Sequence, residues 1–257
     1  MVEGEHISGW IKDYAEEAGI KSLVVGVSGG IDSAVTSTLA AKTGLPTIVV
    51  SLPIHQNINQ VDLQQDHIEW LRTKYDNVIS YTFNLTDTYE TFKSTVTPFT
   101  DELSLANTRA RLRMTTLYQV AATHNGIVVG TGNKVEDFGV GFYTKYGDGG
   151  VDISPIADLM KSEVFALGKF LGVIDGILEA APTDGLWGDD RTDEDQLGAT
   201  YDELEWAMNY LEVIENGLKL SERELEVLNI YRTLNNNNKH KMDPIPVFIN
   251  SKLKQKK

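Results

Sequence analysis

The stretch Ser22-Leu-Val-Val-Gly-Val-Ser-Gly-Gly-Ile-Asp-Ser33 decides how the rest of the chain is read. Its first half, Ser22–Ser28, is a short, nearly continuous apolar run, the pattern of a strand covered on both faces. Its second half opens a helix. Ile31, Ala34, Val35 and Leu39 form one stripe, and the pattern stops at Gly44 with Pro46 beyond. The turn between them holds two adjacent glycines, two serines and an aspartate. Glycines let a backbone approach an anion closely, while Ser28, Ser33 and exposed helix N–H groups can donate to it.

Outward from that turn the same alternation continues. Pro46–Pro53, Val78–Leu85 and Gly126–Thr131 read as further strands, and the more alternating Val78–Leu85 is expected toward an edge. Asn59–Tyr75 and Asp101–His124 read as helices. A β-α-β-α-β order implies α/β architecture, a doubly wound parallel sheet flanked by helices, with ligands at the carboxyl ends of the strands. From Gly130 to Pro155 the periodicity vanishes and seven glycines occur. Aromatics, a lysine and several acids in that stretch point to function rather than disorder. Beyond it the chain is mostly helical. Asp158–Gly172 has Asp158 as its expected N-cap, Tyr201–Glu215 is amphipathic, and Ser221-Glu-Arg-Glu224 is a capping box. Asn235–Asn238 is expected to be a flexible loop. The expected organisation is one domain over 1–257, with an α/β core at roughly 20–175 and a helical C-terminal part at 176–257.

The 257 residues carry 23 Lys+Arg against 37 Asp+Glu, a formal net charge of −14, and no cysteine. Zero Cys excludes a disulfide scaffold, Cys-ligated zinc, an iron–sulfur cluster and a Cys nucleophile. The acidic balance argues against nucleic-acid or anionic-membrane partners, which reward a basic surface. No apolar run approaches a membrane span, and the N-terminus lacks a secretory pattern, so the expected compartment is the cytoplasm. Residues 179–226 hold 15 acids against three basic residues and read as a solvated face, whereas the tail from Lys239 carries six lysines against one acid. The five histidines show no metal-ligand spacing.

Three readings of the turn compete: a tight strand-to-helix turn without ligand, a nucleophile elbow, and a phosphate loop. Gly26-Val-Ser28-Gly-Gly30 satisfies G-x-S-x-G literally, but it precedes the strands and oxyanion loop that normally come first. It is not a Walker A loop, which needs a lysine this turn lacks. Asp32 would repel phosphate unless a cation lay between them, which points to Mg²⁺.

Ser28-Gly-Gly-Ile-Asp-Ser33 resembles the pyrophosphate loop of the ATP pyrophosphatase group, whose members activate a carbonyl or carboxylate oxygen by adenylylation. With Gly130-Thr-Gly-Asn-Lys-Val-Glu136, Gly141-Phe-Tyr-Thr-Lys-Tyr-Gly-Asp-Gly-Gly-Val-Asp152 and Ser154-Pro-Ile-Ala-Asp-Leu-Met-Lys161, the chain is similar to the ammonia-dependent NAD synthetase family from about Ser22 to Lys241. The resemblance implies an adenine nucleotide alpha hydrolase-like fold and a homodimer. It also implies the reaction deamido-NAD + ATP + NH₃ → NAD + AMP + pyrophosphate.

By the same resemblance, Gly26, Val27, Ser28, Gly29, Gly30, Ile31, Asp32 and Ser33 bind ATP, joined by Thr131, Lys161 and Thr183. Asp32 and Glu136 hold Mg²⁺. Lys161 also acts on the reacting phosphate, its place in a first helical turn being one where a cation opposes the helix dipole unless an anion is near. Arg111, Lys145, Asp152, His240 and Lys241 bind deamido-NAD, whose phosphates and carboxylate call for basic partners. Arg109 and Arg113 share a helix face with Arg111 nearly opposite, and Arg111 is taken on family grounds. Asp148 is the candidate for holding ammonium or taking its proton, although an Asp before Gly is also an ordinary turn residue. Glutamine-using relatives add an amidase domain with a Cys nucleophile, so free ammonia is the expected nitrogen source. The chain departs from the family pattern in its acidic 184–205 stretch, at Asn235–Asn238 and in the loop after Glu136.

Overall fold

The structure is a computed structural model and describes residues 2–56, 58–183, 192–213 and 220–249. The acidic run 184–191 and the lysine-rich end from 250 onward lie outside the described residues.

Four parallel strands, β1 (Ser22–Gly26), β2 (Thr47–Ser51), β3 (Val78–Thr82) and β4 (Gly126–Val128), form one sheet in the order β3-β2-β1-β4. Each β1 and β2 side chain is buried except at Gly26, because helices cover both faces of the centre. β3 is the edge its alternation announces, with only Val78 buried. The chain runs outward from β1 to β3, then returns to lay β4 on the other side of β1. That reversal opens a crevice between the carboxyl ends of β1 and β4, the place where such sheets take ligands.

On one face Leu23 and Val25 of β1 pack with α1 (Val2–Glu17), α2 (Ile31–Lys42) and α6 (Lys161–Leu171). On the same side Val49 and Val78 meet Ile68 and Leu71 of α3 (Ile58–Lys74). On the opposite face Val24, Ile48, Val50 and Val128 meet Met114, Leu117, Val120 and Ala121 of α5 (Glu102–Thr123). α4 (Thr86–Thr95) leads into α5. Neither α1 nor α4 is signalled by the sequence reading, which passes over residues 2–17 and 86–95.

The glycine-rich 130–155 region contains one wide helical turn, a π-helix over Lys134–Val140. It is N-capped by Asn133, whose Oδ1 accepts from the Glu136 N–H at 3.1 Å, and closed by left-handed Gly141. A second apolar cluster packs Val135 and Val140 of this turn against α9 (Tyr201–Val213) and α10 (Glu222–Met242). Two short helices, α7 (Asp175–Leu178) and α8 (Asp193–Leu197), precede them.

Two sequence expectations are corrected. Asp158 is not the cap of α6: the helix begins at Lys161, and the Glu163 carboxylate accepts from the Met160 N–H at 2.7 Å. Asp158 instead faces solvent and pairs with Lys134 at 3.4 Å. Asn235–Asn238 is not a loop but part of α10. Asparagine is a weak helix former because its side chain competes for backbone partners. Here Asn235 and Asn238 direct their amides to the carbonyls of Gly139 and Val140 at 2.7 and 2.9 Å, closing the end of the π-helix. Ser221, by contrast, caps α10 as the pattern requires.

Candidate active site

The turn after β1 is held by its own serines. Ser33 Oγ accepts from the Ser28 N–H at 3.1 Å and donates to the Gly30 carbonyl at 3.0 Å, while the Gly30 N–H donates to Ser28 Oγ at 3.2 Å. Gly29 sits at φ +86°, a conformation glycine adopts freely. Among the described residues no side chain caps the N-terminus of α2, whose first turn borders the cleft. That cleft has a volume of about 490 Å³. Residues 26–33, Thr131, Glu136, Asp148, Lys161, Thr183 and Lys241 all line it. Fourteen of the expected site residues, separated by more than 200 positions, therefore meet in one place.

Lys161 is the centre of the arrangement. The residue is 3 % exposed, and its ammonium donates to Asp32 Oδ2 at 2.6 Å and Glu136 Oε1 at 2.9 Å and lies 4.7 Å from the centre of the Tyr201 ring. Tyr201 donates its hydroxyl to the same Glu136 oxygen at 2.6 Å, and Asn133 donates to Asp32 Oδ1 at 3.3 Å. Burial disfavours the Lys161 charge, but the two carboxylates outweigh it and hold the ammonium protonated far above its ordinary range. Burial also pushes Glu136 up, and the Lys161 ammonium with the Tyr201 hydroxyl brings it below the usual carboxylate range. At Asp32 burial prevails over Lys161, and its carboxyl is raised.

The same region carries an excess of acid. Burial, then the charges of Glu136, Asp148 and Asp32, push Asp137 up to about 8. A Cβ on Gly132 would fall 2.0 Å from an Asp137 carboxylate oxygen, so only glycine admits that side chain. Asp148 is exposed as a residue, yet its carboxylate is turned against protein, accepting from the Thr144 N–H at 3.0 Å. Burial of the carboxylate raises it to about 6, against the opposing pull of that N–H.

Asp32 and Glu136 are hard oxygen donors beside a phosphate-type turn, in a cleft short of positive charge. This suits Mg²⁺, which takes one or two carboxylates and completes its shell with water and phosphate oxygens. Among the described residues no group of three or more metal-ligating side chains occurs.

Four of the residues expected to bind deamido-NAD stand outside this cleft: Arg111, Lys145, Asp152 and His240. Arg111 Nε donates to the Lys145 carbonyl at 3.3 Å, and Lys145 Nζ to the His240 carbonyl. Asp152 accepts from the Val128 N–H at 2.7 Å and the Tyr118 hydroxyl at 3.0 Å. Lys241 lines the cleft while spending its ammonium on the Gly141 and Tyr143 carbonyls at 2.7 and 2.8 Å. It thereby ties the aromatic loop to α10.

Sequence reasoning missed Asn133, Tyr201, Arg113 and Gln64, which line or brace the site. Asn133 lies inside a quoted motif. Arg113, on the helix face opposite Arg111, lines the cleft and donates to the Leu52 carbonyl at 3.0 Å. Tyr201 comes from a helix that reads only as acidic and amphipathic. The acidic face also has an exception, since Asp193 is buried and lines the cleft.

A parallel sheet with an anion-seeking turn and a buried Asp–Lys–Glu bridge at its switch point defines a nucleotide-binding α/β protein. The NAD synthase family model matches residues 3–244. The chain is 38 % identical to the NH(3)-dependent NAD(+) synthetase of Alkaliphilus metalliredigens, covering 85 % of this chain and 90 % of that one. It also superimposes on the NMN synthetase of Francisella tularensis with a TM-score of 0.84, at 37 % identity over 96 % of this chain and 97 % of the other. An NH3-dependent NAD synthetase from Campylobacter jejuni shares the fold at a TM-score of 0.78 and 23 % identity, over 96 % and 97 % of the two chains. The chain belongs to the NAD synthase family.

Proposed function

We propose that the cleft activates the pyridine carboxylate of deamido-NAD with ATP and then converts it to the amide with ammonia. Ammonia-dependent NAD synthesis, with ATP as co-substrate, is the activity of this chain. The observation that carries the chemical reading is the Asp32–Lys161–Glu136 bridge, set between the turn after β1 and the loop after β4.

A carboxylate does not accept ammonia, so one of its oxygens attacks the α-phosphorus of ATP and pyrophosphate leaves. Residues 26–33 receive the departing diphosphate with backbone N–H groups and the Ser28 and Ser33 hydroxyls. Asp32 and Glu136 would hold Mg²⁺, which when bound offsets the negative charge of the phosphates. Lys161 stands where charge develops on the phosphate undergoing transfer. Thr131 and Thr183 border the nucleotide. Ammonia then attacks the acyl carbon, AMP leaves with the oxygen that joined it, and Asp148 takes the surplus proton.

Arg111, Lys145, His240 and Asp152 serve deamido-NAD from outside the cleft. Arg111 and Tyr118 are seven residues apart and share a flank of α5. On the edge strand β3 and just past it, Ile79, Tyr81 and Phe83 are each more than a third exposed. This apolar face supports a homodimer in which the second copy completes the substrate site. Among the described residues no helix is long and apolar enough to cross a membrane, and the cytoplasm is the compartment we propose. We also propose that residues 1–257 work as one unit, since the π-helix carrying Glu136 shares a core with α9 and α10.

The likeness to an NMN synthetase favours a second acceptor, the deamidated mononucleotide. The deciding experiment compares deamido-NAD with that mononucleotide, each with ammonium and with glutamine. NAD formation from deamido-NAD and ammonium is expected to dominate. A large preference for the mononucleotide selects the second acceptor, and equal support by glutamine contradicts the ammonia assignment.

A further inference from the structure

Gln64, on α3, is 2 % exposed and belongs to none of the roles above. Its Oε1 accepts from Ser51 Oγ at 2.6 Å, and its Nε2 donates to the carbonyl of Ser28 at 2.9 Å. An apolar helix face has no need of such a group, and a buried amide is costly unless it is paired. Its orientation is fixed by the second bond, because reversing the amide would set two oxygens against each other.

The consequence lies in the peptide unit between Ser28 and Gly29. In a trans peptide the C=O and the N–H point in opposite directions. Drawing the Ser28 oxygen toward Gln64 therefore turns the Gly29 N–H away from Gln64, and Gly29 is one of the residues that line the cleft. Among the described residues that N–H has no acceptor, while the neighbouring Ser28 and Gly30 N–H groups are both satisfied inside the turn. The alternative peptide orientation is close in backbone terms. Rotating the unit by about 180° exchanges the positive φ seen at Gly29 for a negative one, as between type II and type I turns. It would present an oxygen to the cleft instead of a donor, and an oxygen repels phosphate.

We propose that Gln64 is a positioning residue that locks the Ser28–Gly29 peptide with its N–H toward the cleft, and so sets affinity for the diphosphate end of the nucleotide. This rests on the proposed role of residues 26–33 as the pyrophosphate turn. Ser51, 2 % exposed, aligns the Gln64 amide for that task. Gly29 supplies the positive φ that the locked orientation demands.

The test measures binding of inorganic pyrophosphate and of AMP separately, by calorimetry with Mg²⁺ present, for the unaltered protein and for Gln64→Glu, Gln64→Met, Ser51→Ala and Gly29→Ala. Gln64→Glu keeps the shape and the Ser51 contact but replaces the donor with an acceptor. Pyrophosphate affinity is expected to fall about tenfold or more in both Gln64 variants, the scale of one hydrogen bond to a charged group. AMP affinity should stay within about twofold. Ser51→Ala should show the same split more weakly, and Gly29→Ala should show it in full. These two variants keep the question open to measurement if a Gln64 variant fails to fold. Equal losses for both ligands, or no loss for pyrophosphate, overturn the proposal. If the unaltered protein binds AMP but not pyrophosphate, the assignment of the turn itself is wrong and the inference falls with it.

Discussion

Removing the Lys161 ammonium would leave Asp32 and Glu136, both largely buried, facing each other without compensation. Breaking a buried ion pair from one side costs about 3–5 kcal/mol, because the remaining charge is stranded. Lys161→Met should therefore lose stability on that scale at pH 8. The loss should shrink toward pH 5, where the stranded carboxylates can take up protons, and added Mg²⁺ should recover part of it. Thermal melts across pH, with and without Mg²⁺, check this, and a pH-independent loss would speak against the bridge. Asp137 offers a second check. Its carboxyl is raised from 3.8 to about 8, so between those values the folded state binds more protons than the unfolded one and stability declines as pH rises. Asp137→Asn removes that liability, and its melting temperature should exceed that of the parent by a margin that widens from pH 5 to pH 8.5. The residues of the bridge were legible one by one from their motifs. Their direct contact was not, since Asp32 and Lys161 are 129 positions apart and nothing in either motif shows a lysine neutralising the proposed metal carboxylates.

The helices show where local sequence signals hold and where tertiary contacts override them. The Ser221 capping box was readable because it satisfies its own backbone donors within four residues. Asn235–Asn238 was not, because its helix depends on carbonyls nearly a hundred residues away. Both can be measured. Ser221→Ala should cost about 1 kcal/mol and leave turnover unchanged. Asn238→Ala strands the Val140 carbonyl at the end of the π-helix, which costs about 1–3 kcal/mol. Because that turn carries Glu136, Asn238→Ala should also lower kcat, whereas equal turnover in the two variants would detach α10 from the site. The true start of α6 was masked for a related reason: Asp158 is a good cap by type, but Glu163 reaches the Met160 N–H first.

At the scale of the molecule, the strand sequence and its return to β4 were legible because buried parallel strands write continuous apolar runs. The edge position of β3 was legible from its alternation, but the partner for its exposed face was not. Tyr81→Lys, placed in that face, should shift the protein from dimer to monomer in sedimentation and weaken deamido-NAD more than ATP. A protein that is monomeric before the change would contradict the proposed interface. The central claim is that the switch-point cleft splits ATP between its α- and β-phosphates to activate a carboxylate. Phosphorus NMR of a reaction holding deamido-NAD, ATP, Mg²⁺ and ammonium tests it most directly: AMP and pyrophosphate should appear in step with NAD, and ADP with inorganic phosphate would contradict it.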